Sequence, residues 1–228
     1  MKLRKAILLF LMLAAGRVAA QEPFSPEWNI GAGGGPTFAD FSFEPGIDTK
    51  MLQQLHGGIA LRYISEKNLG IIGEVNYSQQ GWAGNFKDNP EYEHTHSFSY
   101  LEIPVMTHIY FGRQVRFFVN LGPKIQFLLS EKETINAALA SYIESLSANE
   151  NAAQLTRQYY KTAKYSFDYG LIGGAGLELR TKIGNFALEG RYYAGFGDLF
   201  DNHAGANNFT RSANRVLSAK LTYYVKVF

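Results

Sequence analysis

The chain has no cysteine among its 228 residues, which excludes disulfides and a cysteine-linked lipid anchor in an oxidising envelope. It lacks an excess of either charge: 22 basic and 20 acidic residues leave a net +2, so nothing electrostatic points to nucleic acid and no such partner is expected. It also lacks long hydrophobic runs. After the first twenty residues no stretch approaches the roughly 18 uninterrupted apolar residues of a spanning helix, and mean hydropathy is only −0.16. Helical membrane proteins are thereby excluded. Proline is scarce at 7 residues, whereas glycine (23), phenylalanine (17) and tyrosine (14) are plentiful. Aromatic girdles and glycines that relieve crowding inside a wall of strands account for that balance.

The first twenty residues read as an export signal. Lys2, Arg4 and Lys5 form a positive start, Ala6 to Ala15 an apolar stretch, and Val18, Ala19 and Ala20 a small-residue cleavage site. Cleavage near Ala20 is expected, which divides the chain into a signal peptide at 1–20 and one domain at 21–228. The signal is that of bacterial export.

Period-two patterning recurs in eight segments from Trp28 onward. One face of each is apolar: Leu55, Ile59, Leu61 and Tyr63 in the second, Leu101, Ile103, Val105, Ile109 and Phe111 in the fourth, Leu217, Leu221, Tyr223 and Val225 in the last. The opposite faces hold the polar side chains. Gaps between segments alternate, with short ones at 65–68, 112–114 and 182–185 and long ones at 39–53, 82–97, 131–164 and 198–213. A soluble lipocalin-type barrel has the same two faces with their sense inverted. The export signal, the short-long alternation and the aromatics Tyr63, Tyr77, Phe111, Tyr165 and Tyr223 near the ends of the apolar faces favour the membrane reading. The expected fold is all-β: an eight-stranded antiparallel up-and-down transmembrane β-barrel with short periplasmic turns and long extracellular loops.

Tyr100-Leu101-Glu102-Ile103-Pro104, Phe118-Val119-Asn120-Leu121-Gly122-Pro123, Gly173-Gly174-Ala175-Gly176-Leu177-Glu178 and Gly190-Arg191-Tyr192-Tyr193-Ala194-Gly195 together resemble the PorT-like outer-membrane β-barrel family of Bacteroidetes. The similarity runs over essentially the whole chain after the signal, and the first string is its most specific part. The resemblance implies an outer-membrane barrel, commonly eight-stranded, whose members mostly lack an assigned activity. The founding member is associated with type IX protein secretion, a role that fold similarity does not transfer. Phe228 departs from the usual assembly signal, because it is in phase with Lys226 and Lys220 rather than with the lipid-facing residues.

The inward face carries the strongest polar constellation: Glu74, Glu102, Asp168, Glu178 and Glu189 against Arg62, Arg116, Lys124, Arg180, Arg191 and Lys220. An eight-stranded barrel is only wide enough for side chains to fill, and buried charges must pair, so these eleven residues are expected to form a structural ion-pair network that plugs the lumen. A selective ion path would favour one sign of charge. Pro104 and Pro123 remove ladder donors; if Phe111 pairs with Val115 across the turn, Ile103 faces Pro123 and a bulge is expected there.

Three features remain. His94 and His96 are expected in a solvated loop, with no metal site and no cofactor. His94, His96 and His203 with Asp198, Asp201 or Ser212 offer rim catalysis only in principle, because no nucleophile motif accompanies them, and no catalytic residue is expected. Within 131–164, Ile135, Leu139, Tyr142, Ile143 and Leu146 recur at helical spacing, which predicts a part-helical extracellular loop. The reading is a non-enzymatic, monomeric outer-membrane anchor whose loops bind or organise a partner in the envelope or outside the cell, linked to envelope assembly or protein secretion. Its other partners are outer-membrane lipids and, during insertion, the barrel-assembly machinery. The alternatives are a small-solute channel or transporter and, after it, a lipid- or peptide-modifying rim enzyme.

Overall fold

A computed structural model describes residues 24–146, 151, 156–203 and 208–227. The export signal at 1–20 and the phase of Phe228 therefore lie outside the described residues. Eight strands are present among them: β1 (Glu27–Glu44), β2 (Thr49–Glu66), β3 (Leu69–Gly84), β4 (His94–Gly112), β5 (Val115–Ile135), β6 (Phe167–Thr181), β7 (Gly184–Gly195) and β8 (Arg211–Lys226). Every neighbour pair is antiparallel, and β1 closes on β8 through pairs such as Ile30 with Val225 and Phe38 with Leu217. Closure removes both sheet edges, so no ladder is left open to pair with another chain. The result is the eight-stranded up-and-down barrel expected from the alternation.

Three two-residue turns, at 67–68, 113–114 and 182–183, define one end. Asn68 takes φ 73°, and Gly112 and Gly184 take φ 111° and 142°, conformations that fit the twist of tight hairpins and that glycine adopts without a steric penalty. The opposite end carries the connections at 45–48, 85–93, 136–166 and 196–210. Large apolar side chains stand on the outer wall: Leu55, Ile59, Leu121, Leu177 and Leu188 are each more than half exposed. Trp28 and Tyr63 lie 4.5 Å apart in the turn-end aromatic belt, and Phe127, Phe167 and Tyr169 form a second belt nearer the connections. A wall that exposes such residues in a continuous band is stable against lipid and not against water.

The gap at 39–53 is a correction. It contains only the four residues 45–48, because β1 and β2 continue far past their last lipid-facing residues. Beyond the apolar band the period of two persists but its sense inverts. Asp40, Ser42, Ser97, Lys132 and Thr134 now point out, while Phe41, Phe43, Trp82 and Phe98 point in. The second and third gaps also shrink, to 85–93 and 136–166, as β3, β4 and β5 extend in the same way.

The β4–β5 register corrects a second expectation. Phe111 pairs with Phe117, Ile103 with Ile125 and Pro104 with Lys124, two residues from the expected alignment. The same register holds on both sides of the prolines, at Pro104 with Lys124 and at Thr107 with Leu121, so no bulge forms there. Gly122 provides the reason for close approach at this point: a Cβ on it would stand 2.0 Å from the Val105 carbonyl oxygen. The register shift falls instead between Ser99 and Tyr100, whose partners are Ser130 and Leu128. The extra residue reverses the faces of β5, so that Glu131 and Glu133 turn inward where uninterrupted alternation would place Ser130 and Lys132.

Candidate functional site

The lumen and the mouth above it hold the polar chemistry of the molecule, arranged in tiers along the barrel axis. In the tier nearest the turns, the Glu178 carboxylate accepts from Arg62, and Arg116 Nη1 stands 3.5 Å from its other oxygen. The two guanidinium groups lie over the rings of Tyr224 and Tyr110, at 4.1 and 4.2 Å, where the ring faces stabilise positive charge. Next comes Glu74, which accepts both terminal nitrogens of Arg191 at 2.7 and 2.8 Å, Lys220 Nζ at 2.7 Å and Asn76 Nδ2 at 2.9 Å. Arg191 also donates to Glu189 at 2.7 Å, and Asn120 donates to the same carboxylate at 2.8 Å.

A third tier forms a ring. Lys124 and Gln80 donate to Glu102 Oε1 at 2.6 and 2.5 Å, Gln126 donates to Asp168 at 2.8 Å, and Tyr193 closes the circuit with its hydroxyl on Asp168 at 3.0 Å and its ring 3.5 Å from Lys124 Nζ. Ten of the eleven residues expected in the lumen therefore sit there, buried. Arg180 does not: it is part-exposed at the turn-end rim, where it and Lys226 approach Glu27 at 3.6 and 3.5 Å. Its removal leaves five carboxylates facing five cations in the lumen. The residual space is small, about 10 Å³ between Glu102, Lys124, Arg191 and Tyr193 and about 10 Å³ near Tyr100 and Asp168. Burying ten charges costs several kcal/mol per ion. The short hydrogen bonds that converge on Glu74 and Glu102 offset it in the upper tiers, whereas Arg116 is held by its 3.5 Å ion pair and the Tyr110 ring, with Nε and Nη1 lacking hydrogen-bond partners.

Above the ion pairs lies an apolar lid that the alternation did not reveal. Phe41, Trp82, Phe98, Tyr100, Leu199, Phe200 and Phe209 form one buried cluster, with Phe43, Ile47, Leu128 and Ala163 packed against it. Phe200 and Phe209 come from the β7–β8 connection, which folds inward over the mouth. The Ser212 hydroxyl holds that fold by accepting the backbone N–H groups of Leu199 and Phe200, both at 3.0 Å, and Asp198 accepts the Ser212 N–H at 2.7 Å. Ser212 is thus a buried acceptor at the start of β8 that holds the preceding connection, and no histidine pairs with it among the described residues. His203 sits apart, against Asp201 at 2.5 Å. Asp201 also takes Lys164 Nζ at 2.7 Å, and this hydrogen bond, followed by those from His203, holds its carboxyl well below the ordinary carboxylate range; Lys164 is correspondingly raised. The rim constellation of Ser, His and Asp is not assembled.

The histidines on β4 require the clearest correction. His94 and His96 are not in a solvated loop but on the inward face of the β4 extension, 3% and 0% exposed. His94 Nε2 lies 2.9 Å from Glu133 and His96 Nε2 lies 2.6 Å from Glu131. Glu131 also accepts the Ala163 N–H and Glu133 the Tyr160 N–H, so the returning chain pins both carboxylates. Neither glutamate was legible from alternation, because the β5 bulge sets their direction. The helix expected in this connection is α1 (Ala137–Ser145), capped by the Asn136 side chain on the Leu139 N–H at 3.1 Å. It packs on the 85–93 connection through Tyr142 on Tyr92, ring centroids 5.3 Å apart, and Asn136 on the Glu91 carbonyl.

The barrel of OprG from Pseudomonas aeruginosa is similar at 11% identity, covering 87% of this chain and 96% of that one with a TM-score of 0.46. Neisserial surface protein A is similar at 12% identity, 88% and 99% coverage and a TM-score of 0.44. Ail, the attachment invasion locus protein of Yersinia pestis, is similar at 12% identity, 89% and 100% coverage and a TM-score of 0.41. No curated protein matches the chain. The model of the outer membrane protein beta-barrel domain matches residues 19–201, most of the chain including seven of the eight strands, and the chain belongs to that family.

Proposed function

We propose that this protein is a monomeric, non-enzymatic anchor in the bacterial outer membrane whose lumen is closed and whose loop end binds or organises a partner in the envelope or outside the cell. The observation that carries this reading is the fill of the barrel: five carboxylates balanced by five cations and an aromatic lid leave lumen cavities of about 10 Å³, while a cavity of about 510 Å³ opens at the loop end beside Lys164, Tyr169 and Phe196. A pore needs a continuous water path and a selective ion path needs a bias of charge, and neither fits that fill. In this reading the two-residue turns face the periplasm, an export signal at 1–20 delivers the chain, the barrel-assembly machinery inserts it, and lipid surrounds the apolar band. The resemblance of Tyr100 to Pro104 to the PorT-like barrels does not transfer a role, but it makes envelope assembly or protein secretion the first setting in which to look for the partner.

Single-channel recording on the refolded protein tests the closed lumen. Silence under applied voltage is expected, and stable conductance steps would replace the anchor with the channel. Crosslinking in intact cells from a photoreactive residue at Tyr142, 43% exposed on α1, tests the binding end. One discrete adduct is expected; labelling of lipid alone would sink the partner role.

A further inference from the structure

The mouth of the barrel holds a donor set that the anchor role does not use. The ligand atoms of His94, His96 and Glu133 all lie within 4.8 Å of one another. Donors around a tetrahedral zinc ion at about 2.0–2.1 Å stand about 3.4 Å apart, so small side-chain rotations complete the set. Two imidazoles and one carboxylate are also the ligand combination that leaves a fourth position on such an ion for water or an incoming group.

Two further observations point the same way. Glu131 fixes His96 through Nε2, which leaves Nδ1 with no hydrogen-bond partner although the residue is completely buried. A buried imidazole nitrogen without a partner is costly, and a carboxylate on the opposite ring nitrogen is the arrangement that orients a metal-binding histidine and raises its basicity. Space is present too: a cavity of about 120 Å³ reaches His94, bounded by Asp48, Trp82, Phe86 and Tyr159.

We infer that His94, His96 and Glu133 form a binding site for a zinc-class divalent transition metal, with Glu131 as the residue that positions His96. Because the N–H groups of Tyr160 and Ala163 bind the two glutamates, the ion ties the 136–166 connection to the wall of the barrel. It is a binding site at the mouth, independent of the closed lumen and of the partner proposed above.

The test uses the full chain, refolded in micelles without a histidine tag and stripped with chelator. Trp82 supplies the signal: its ring centroid is 4.7 Å from that of His96, and the only other tryptophan, Trp28, lies in the turn-end belt and is removed by Trp28→Phe. Titration with Co²⁺ should quench Trp82 emission to saturation at one equivalent, and Zn²⁺ should displace Co²⁺ and restore it. His96→Ala and Glu133→Gln should each weaken binding at least tenfold, Glu131→Gln about tenfold, and His203→Ala not at all. Gel mobility before and after heating reports whether each variant has folded. X-ray absorption of the Zn²⁺-loaded parent covers variants that do not fold: two imidazoles are expected around the ion. Unsaturable quenching of the parent at millimolar Co²⁺, binding unchanged in folded His96→Ala, or a zinc sphere without imidazole would overturn the site.

Discussion

The lower lumen and the mouth solve the same problem, filling a narrow closed sheet, with opposite chemistry. Below, Glu74, Glu178 and Glu102 gather cations from strands across the barrel; above, Phe41, Trp82, Phe98 and Phe200 exclude water without a charge among them. The difference follows from what lies outside the wall. Where the outer face must be apolar for lipid, the alternation leaves only the inner face for polar residues, and these must pair. Where the wall rises past the lipid, the outer face takes up Asp40, Ser97 and Lys132, and the inner face becomes an aromatic core flanked on the β4–β5 side by the His94–Glu133 and His96–Glu131 pairs.

The sharpest way to break the comparison is in the lower tier. Glu74→Ala leaves Lys220 and one side of Arg191 buried without their anion, and the expected loss is about 3–5 kcal/mol. Urea unfolding of the refolded barrel in micelles measures it, with loss of the fast-migrating gel form as a second sign. Pairing the change with Lys220→Met, which removes the stranded cation, should recover part of the loss. A Glu74→Ala barrel as stable as the parent would mean that water, not Glu74, carries those charges.

The mouth should respond differently. Trp82→Ala empties a fully buried site and is expected to cost about 3 kcal/mol, the lower end for such truncations, because the cavity adjoins the surface and can admit water. The loss should be local: faster proteolysis within 136–166 and faster amide exchange at Leu199 and Phe200, with the lower barrel still protected. Equal loss of protection at both ends would show that lid and lattice are one cooperative unit.

How much of this was legible beforehand also divides along the axis. For the lower barrel, alternation sufficed: ten lumen charges and the outward apolar faces follow from period two and need no knowledge of register. Arg180 was misplaced because alternation gives a face but not a height, and its height puts it in the solvent at the rim. In the upper barrel the same rule misled. The apolar residues change faces there, so Ala39 to Phe43 read as loop. The bulge at Tyr100 and Leu128 then shifted β5 by one residue, and the two glutamates that meet His94 and His96 could not be assigned a direction. The Pro104 register failed for a related reason, since a two-residue slip preserves every face and leaves no trace in the pattern.

The smallest effect lies outside both tiers, in the Lys164–Asp201 pair on the loop surface. Its hydrogen bonds from Lys164 and His203 hold the Asp201 carboxyl well below its unfolded value, so the pair favours the folded loop at all pH above the ordinary carboxylate range and that contribution disappears as pH falls through the depressed value. Both groups are solvent-reached and screened by salt, which keeps the effect on global stability near the limit of measurement. Carbon-detected NMR titration of Asp201 resolves it where unfolding does not. Lys164→Ala should move the Asp201 titration toward the ordinary range, and added salt should move the parent part of the way. If instead the titration stays put in Lys164→Ala, His203 alone holds the carboxylate, and the surface of the mouth is organised by the β7–β8 connection without help from the chain that returns from α1.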